Sequence, residues 1–115
     1  MFPKEKKKKK RKKHRESIMQ RKDGTCYLCR KLHGDWSRKQ PIHEHHVFGG
    51  VANRPLSEEY GLKVYLCMEH HVAGPEAVHT NKEIMDMVRK DAQRKFEKEY
   101  DLDFREIFGK NYGEG

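Results

Sequence analysis

The strongest hydrophobic pattern in the chain lies in its last third. Apolar residues return there every three or four positions, which is the spacing of one face of an α-helix. The positions are Ile84, Met87, Val88, Ala92, Phe96 and Tyr100. Thr80 and Glu83 have the spacing of a capping box, which favours a helix start at this point. The pattern predicts an amphipathic helix over about residues 81–100 that covers the core, and any surplus of its apolar face would form a homodimer interface.

Two shorter apolar segments in the middle of the chain predict β-strands. Residues 42–48 have the length and composition of a strand, and Gly49 and Gly50 end it. Residues 62–66 alternate in the manner of a second strand. Residues 67–71 follow directly and are expected to open a helix. Two strands followed by helix place the chain in the α+β class.

The remaining segments carry weaker signals. Residues 15–22 suit a short helix, and residues 30–41 contain the glycine and proline of a loop. Residues 51–61 are expected to be irregular, with a Ser57-Glu-Glu segment that could start one helical turn. Asp103 and Glu106 repeat the capping-box spacing, which predicts one short helical turn near the end of the chain.

Length and composition indicate one small domain with a thin core. The chain has 115 residues, of which 34% are hydrophobic and 38% charged, whereas charged residues usually make up about 25%. A core this small is expected to need a staple such as a metal ion. No apolar run reaches the roughly 20 residues of a membrane span, and no apolar region follows the basic start. We therefore expect a soluble intracellular protein with one domain over residues 16–115.

The positive charge of the chain is concentrated at its start. The formal net charge is +8, but residues 1–15 carry +9 and the other hundred residues carry −1. We expect residues 1–15 to form a disordered arm that attracts phosphate groups without reading sequence, and the alternatives are a solubilising tail or a targeting signal. The candidate phosphate contacts of the arm are Lys8, Lys9, Lys10, Arg11, Lys12 and Lys13. Arg54 is a further candidate contact within the folded part.

All three cysteines have the spacing of zinc ligands. Two residues separate Cys26 from Cys29, and two residues separate Cys67 from His70. Structural zinc sites take four such ligands in a tetrahedron, commonly as two pairs of this kind. These four residues are therefore the expected zinc ligands, with His33 as a rival for the fourth position. The alternative is that the cysteines are buried only as small apolar residues.

The chain holds more histidines than one zinc site needs. Seven of its eight histidines lie within residues 33–79, together with all three cysteines. Neighbouring residues on a strand point to opposite faces, so His45 and His46 are expected to have different roles. Near a helix start, His70 and His71 project about 100° apart, which lets one bind zinc while the other serves a second site. The surplus of histidines predicts a second bound cation.

In these motifs the chain resembles the HNH endonucleases, also called ββα-metal or His-Me finger nucleases, and in particular their small phage-type members braced by zinc. The resemblance covers residues 26–81. Its segments are the Cys26-x2-Cys29 pair, Glu44-His-His-Val-Phe-Gly-Gly50, Leu66-Cys67-x2-His70-His71 and Val78-His79-x-Asn81. It implies a ββα-metal core, in which a strand pair and a helix hold one divalent cation.

The resemblance also implies an activity and roles for individual residues. His46 is implied as the general base, and His45, His71 and His79 as ligands of the catalytic cation, which would be Mg²⁺, Mn²⁺, Ni²⁺ or Zn²⁺. Many members have an asparagine just before the second strand, and Asn53 is the nearest candidate for that positioning role. The implied activity is hydrolysis of DNA phosphodiester bonds.

The same resemblance suggests a biological setting. It implies a phage or prophage protein of the bacterial cytoplasm. The assemblies left open are a homodimer, through the surplus apolar face of the long helix, and a larger phage complex. Two other classes remain open on the residues alone. One is a noncatalytic zinc-binding nucleic-acid module, and the other is a zinc-braced adaptor whose C-terminal helix docks a protein partner.

Overall fold

The computed structural model describes residues 15–109 and residue 112. Its elements are α1 (Tyr27–His33), β1 (Ile42–His46), α2 (Gly50–Tyr60), β2 (Lys63–Cys67), a π-helical turn (Glu69–Ala73), α3 (Lys82–Glu99) and α4 (Phe104–Phe108). The predicted arm lies outside the described residues except for Arg15, whose guanidinium pairs with the carboxylate of Glu99 at 3.0 Å.

The two predicted strands pair with each other to form the sheet. β1 and β2 are antiparallel, and their register sets Cys67 at one end and the pair of His46 and Lys63 at the other. β1 ends at His46, two residues before the predicted end, and the next amide, that of Val47, donates to the carbonyl of Leu62. The expected α+β class is confirmed, with a two-stranded antiparallel sheet among the described residues.

The helix expected over residues 15–22 is not formed, and we call this segment the strap. Ser17 Oγ accepts hydrogen bonds from two backbone amides just after it, at 3.0 and 3.1 Å, and this turn replaces helical bonding. The buried side-chain amide of Gln20 donates to the carbonyl of Thr25 and accepts from the amide of Tyr65. The strap therefore joins β2 to the start of α1.

α2 is the largest difference from the sequence prediction, which expected residues 51–61 to be irregular. Pro55 lies inside this helix and cannot donate the hydrogen bond that would reach the carbonyl of Val51. Val51 is 98% exposed, so water can satisfy that carbonyl. On the buried side, the hydroxyl of Ser57 donates to the carbonyl of Phe48 and accepts from its amide. The proline therefore leaves open only an acceptor at the exposed surface, while Ser57 ties the buried side of α2 to Phe48.

Two helix boundaries also differ from the prediction. α1 continues into the loop predicted over residues 30–41 and ends at Gly34. α3 is capped by Asn81 rather than Thr80, because Asn81 Oδ1 accepts from two backbone amides of the first turn at 3.0 and 3.2 Å. Asparagine is at least as good a cap as threonine. α4 begins after Asp103, as predicted.

The predicted long helix forms and covers the core. α3 buries Val88, Ala92 and Phe96 completely. The rings that pack around Phe96 are those of Tyr60, Tyr100, Phe104 and Phe108. Within the described part of the chain no helix, α3 included, combines the length and the apolar character that crossing a membrane requires. Dimerisation through α3 stays a prediction.

Gly61, which ends α2, tests how closely the strap packs on the helix. Its φ is +74°, and a Cβ at this position would lie 2.5 Å from the carbonyl oxygen of Glu16. Gly34 has a similar φ of +64° but open space around it. Gly34→Ala is expected to lower the free energy of unfolding by about 1 kcal/mol, the cost of the left-handed conformation. Gly61→Ala is expected to cost about 1–3 kcal/mol more because backbone must move.

Urea denaturation of the two zinc-loaded variants measures both losses against the wild-type chain. Equal losses at the two glycines would contradict the close approach of α2 and the strap.

Candidate metal centres

Three cysteines and one histidine meet in the interior of the fold. Cys26 caps α1, where its Sγ accepts from the amide of Cys29. Cys67 is the last residue of β2, and His70 lies in the π-helical turn. All four residues are buried, and one donor atom from each lies within 4.8 Å of the others. We call this group the cysteine cluster (Cys26, Cys29, Cys67 and His70).

The donor atoms of the cysteine cluster have the spacing of a tetrahedron. The Sγ atoms of Cys26, Cys29 and Cys67 lie 3.6, 3.4 and 3.5 Å from Nδ1 of His70. The sulfurs of Cys29 and Cys67 are 3.8 Å apart. Tetrahedral zinc with ordinary bond lengths would set sulfurs about 3.8 Å apart and sulfur and nitrogen about 3.6 Å apart. The cluster is therefore compatible with a structural zinc site.

Protons compete with a cation for the cysteine cluster. Burial, together with the neighbouring thiols of Cys26 and Cys67, raises the pKa of Cys29 to about 12. A thiol must lose its proton to bind zinc, so binding releases protons and weakens as the pH falls. The chemistry of the donors favours zinc, since three thiols and one imidazole form a common structural zinc set.

His33, the rival for the fourth ligand position, lies outside the cysteine cluster. Its Nε2 is 2.9 Å from Oε1 of Glu76. The same oxygen is 3.6 Å from Nε2 of His70, the ring nitrogen that faces away from the sulfurs. A separation of 3.6 Å is longer than a hydrogen bond. Glu76 is therefore hydrogen-bonded to His33 and only lies near the His70 ring.

A second group brings together three of the remaining histidines. One ring nitrogen from each of His45, His71 and His79 lies within 4.8 Å of the other two, and we call these residues the histidine cluster. They come from the end of β1, from the π-helical turn and from the segment before α3. The same three residues are those that the resemblance implied as ligands of a second cation.

The buried member of the histidine cluster has an unsatisfied nitrogen. His45 is 5% exposed, and its Nε2 has no hydrogen-bond partner among the described residues. Burial, followed by the neighbouring imidazoles of His79 and His71, lowers the pKa of His45 to about 3. A neutral imidazole can donate a lone pair to a cation, and leaving a buried polar atom unpaired costs about 1–3 kcal/mol. The cluster therefore fits a cation both in its donors and in its protonation.

The structure adds His43 to the surroundings of the histidine cluster. Its Nδ1 lies 3.0 Å from Nδ1 of His71. His43 and His45 are two positions apart on β1 and so share one face of the strand. This two-residue spacing is the sequence signal that places His43 beside the histidine cluster.

His46, the residue implied as general base, lies against a carboxylate from α2. Its Nε2 is 2.6 Å from Oε1 of Glu58. The other carboxylate oxygen of Glu58 accepts from Nζ of Lys63 at 3.1 Å, and Lys63 is the strand partner of His46. No sequence pattern marks Glu58, because the contact joins a strand to a helix that was not predicted.

The other predicted site residues make no hydrogen bond to His46 or lie outside the described residues. Asn53 lies on α2, but among the described residues it makes no hydrogen bond to His46, whose partner there is Glu58. Arg54 lines a surface groove together with His46 and Val51. The arm contacts, Lys8, Lys9, Lys10, Arg11, Lys12 and Lys13, lie outside the described residues.

Comparison with known proteins gives no match, whether with family models, with curated proteins or with solved structures. The chemistry of the chain therefore has to be inferred from its own residues and their geometry.

The cysteine cluster predicts which residues hold zinc. Cys67→Ser is expected to lose the zinc and unfold, because structural zinc contributes about 10–16 kcal/mol in small zinc domains and a domain has only about 5–15 kcal/mol of stability. His33→Ala is the matched control and is expected to keep both zinc and fold. Elemental analysis and circular dichroism measure the two properties. Zinc retained by Cys67→Ser, or lost by His33→Ala, would contradict the assignment.

Proposed function

We propose that this chain is a metal-dependent endonuclease of the HNH (ββα-metal) type that hydrolyses phosphodiester bonds in DNA. The observation that carries the proposal is the histidine cluster, with His46 next to His45 in the chain. The cluster lies where a strand pair passes into a helical turn, which is the arrangement that the family resemblance of residues 26–81 implies.

The donor set of the histidine cluster supports a borderline divalent cation. His45, His71 and His79 offer three imidazole nitrogens within 4.8 Å of one another, a set that suits Zn²⁺ or Ni²⁺ better than Mg²⁺. A divalent cation, when bound, neutralises phosphate charge and stabilises the leaving oxygen. Tight binding and activity are separate properties, so the working ion is to be found among Mg²⁺, Mn²⁺, Ni²⁺ and Zn²⁺.

The role of His46 is to take a proton from the attacking water. An imidazole can accept a proton near neutral pH, and it works as a base when something holds its other nitrogen. His46 meets the second condition through its contact with Glu58. Hydrolysis of this kind leaves 5′-phosphate and 3′-hydroxyl ends, as the resemblance implies.

Attraction to DNA comes in this proposal from two parts of the chain. Residues 1–15 carry +9, and such a run binds phosphates without reading sequence. Arg54 lines the same groove as His46, which supports a role for its guanidinium in contacting a phosphate near the reacting bond.

Loss of the base tests the proposal directly. His46→Ala is expected to slow plasmid nicking by about 10²–10⁴-fold, the usual contribution of a general base, with zinc content and DNA affinity unchanged. His33→Ala serves as a control for removing a histidine outside the site. Nicking is measured with Mg²⁺, Mn²⁺, Ni²⁺ and Zn²⁺ in turn.

Two outcomes would go against this account. Equal cutting by His46→Ala would mean that His46 is not the base. Zinc and DNA binding without cutting under any of the four cations would instead support a noncatalytic zinc-binding nucleic-acid module.

The arm has its own test. Deleting residues 1–14, which spares the pair between Arg15 and Glu99, is expected to weaken DNA binding at low salt and to flatten its salt dependence. The log–log slope is expected to fall by about 0.9 for each phosphate that the shortened chain no longer neutralises. The cutting rate at saturating DNA is expected to stay the same. Fluorescence anisotropy over a salt series measures the slope, and an unchanged slope would show that the arm does not bind phosphates.

A further inference from the structure

The closest contact of His46 is with a carboxylate whose position is set by α2. Nε2 of His46 and Oε1 of Glu58 are 2.6 Å apart, and the two side chains are only 14% and 22% exposed. A hydrogen bond shielded from water in this way holds a ring in one orientation more firmly than an exposed one. Within the described part of the chain, Glu58 is therefore the group that orients the His46 ring.

We propose that Glu58 is the positioning residue for His46, an inference that rests on the proposed function. An ionised carboxylate only accepts hydrogen bonds. Nε2 of His46 must therefore carry the proton and donate a hydrogen bond to Glu58. A neutral imidazole has one protonated nitrogen, and Nδ1 is then left with a lone pair. Nδ1 is thereby the atom that receives the proton of the attacking water.

Both the side chain and the backbone of Glu58 are held by hydrogen bonds. Its second carboxylate oxygen accepts from Nζ of Lys63 at 3.1 Å, and its backbone carbonyl accepts from the amide of Arg15 at 3.0 Å. Lys63 is 5% exposed, and its ammonium attracts the carboxylate that it contacts. The carboxylate of Glu58 is therefore held in place by an ammonium on β2, at the strand partner of His46.

A cation held by Glu44, His46 and Glu58 is the competing interpretation of the same atoms. The ammonium of Lys63 already lies 3.1 Å from one carboxylate and 3.4 Å from the other. A second positive charge placed there would be repelled by the first. The contact of Glu58 with His46 is therefore better explained by a hydrogen bond than by shared ligation.

Asn53 was the residue expected in the positioning role. It shares α2 with Glu58 but makes no hydrogen bond to His46 among the described residues. Side chains five positions apart on a helix do not occupy the same place, since they are about 140° apart around its axis. In this chain a carboxylate on α2 takes the place of the asparagine implied by the resemblance.

Three variants separate orientation from charge and from stability. Glu58→Gln keeps an oxygen that accepts from Nε2 but removes the charge, and Glu58→Ala removes both. Glu44→Gln is the matched control, because it weakens the other carboxylate contact of Lys63 and leaves the His46–Glu58 contact intact. Thermal unfolding of each zinc-loaded variant shows which samples are folded before they are compared.

The first readout is independent of cutting. Long-range ¹H–¹⁵N spectra report which ring nitrogen of a neutral histidine carries the proton, and the His46→Ala spectrum assigns the His46 signals. We expect Nε2–H in the wild-type chain, in Glu58→Gln and in Glu44→Gln, and a mixture of the two forms in Glu58→Ala. A wild-type His46 protonated at Nδ1 would overturn the proposal.

The second readout is the single-turnover nicking rate. Glu58→Ala is expected to slow the step by about 10–100-fold, as for other residues that orient a functional histidine, with KM for plasmid within about twofold. Glu58→Gln is expected to recover at least part of that loss, and Glu44→Gln to match the wild-type chain. An unchanged rate in folded Glu58→Ala, or a Glu58→Gln variant as slow as Glu58→Ala, would overturn the positioning role.

The failure of this inference is distinguishable from failure of the proposed function. If the wild-type chain does not cut, the endonuclease proposal fails, and the spectra alone then decide whether Glu58 orients His46.

Discussion

Four buried residues from three segments of the chain bring their donor atoms together in the interior. The positions of the neighbouring elements depend on this cluster. The sheet has only two strands, and a strand pair alone is marginal in water. The cysteine cluster joins α1, β2 and the π-helical turn at distances that a tetrahedral cation would span. A cation bound there would stabilise a fold in which only 34% of residues are hydrophobic. It would also fix the turn in which the next residue, His71, belongs to the histidine cluster.

Pairs of adjacent histidines let a small chain carry two kinds of chemistry. His70 faces the cysteine sulfurs, while His71 faces His45 and His79. On β1, His45 is buried in the histidine cluster, while His46 contacts Glu58. In each pair, one histidine belongs to one cluster of donor atoms, and its neighbour contacts a different group. In our proposal that separation allows a site for a cation and a base to be built from a single hairpin and the turn that follows it.

The features that could be predicted from the sequence are those that local spacing determines. The Cys-x2-Cys and Cys-x2-His pairs, the two strands and the apolar face of α3 all follow from positions a few residues apart. Contacts between distant segments could not be predicted in this way. α2 is not predicted because Pro55 disfavours a helix, and local spacing does not show that the open acceptor at Val51 is exposed or that Ser57 bonds to Phe48. The strap is not helical because its hydrogen bonds run to side chains and to β2, which local spacing does not show. Glu58 carries no local signal because it lies on the helix that the sequence does not predict.

The central claim is that the chain has two cation sites with different donors, and titration of the metal-free, reduced protein with Co²⁺ tests it most directly. The account predicts that the first equivalent gives the sulfur-to-cobalt absorption of a thiolate site and that a second equivalent binds without adding to it. His45→Ala is expected to remove only the second step. A single class of site, or a second step that adds to the thiolate absorption, would contradict the account.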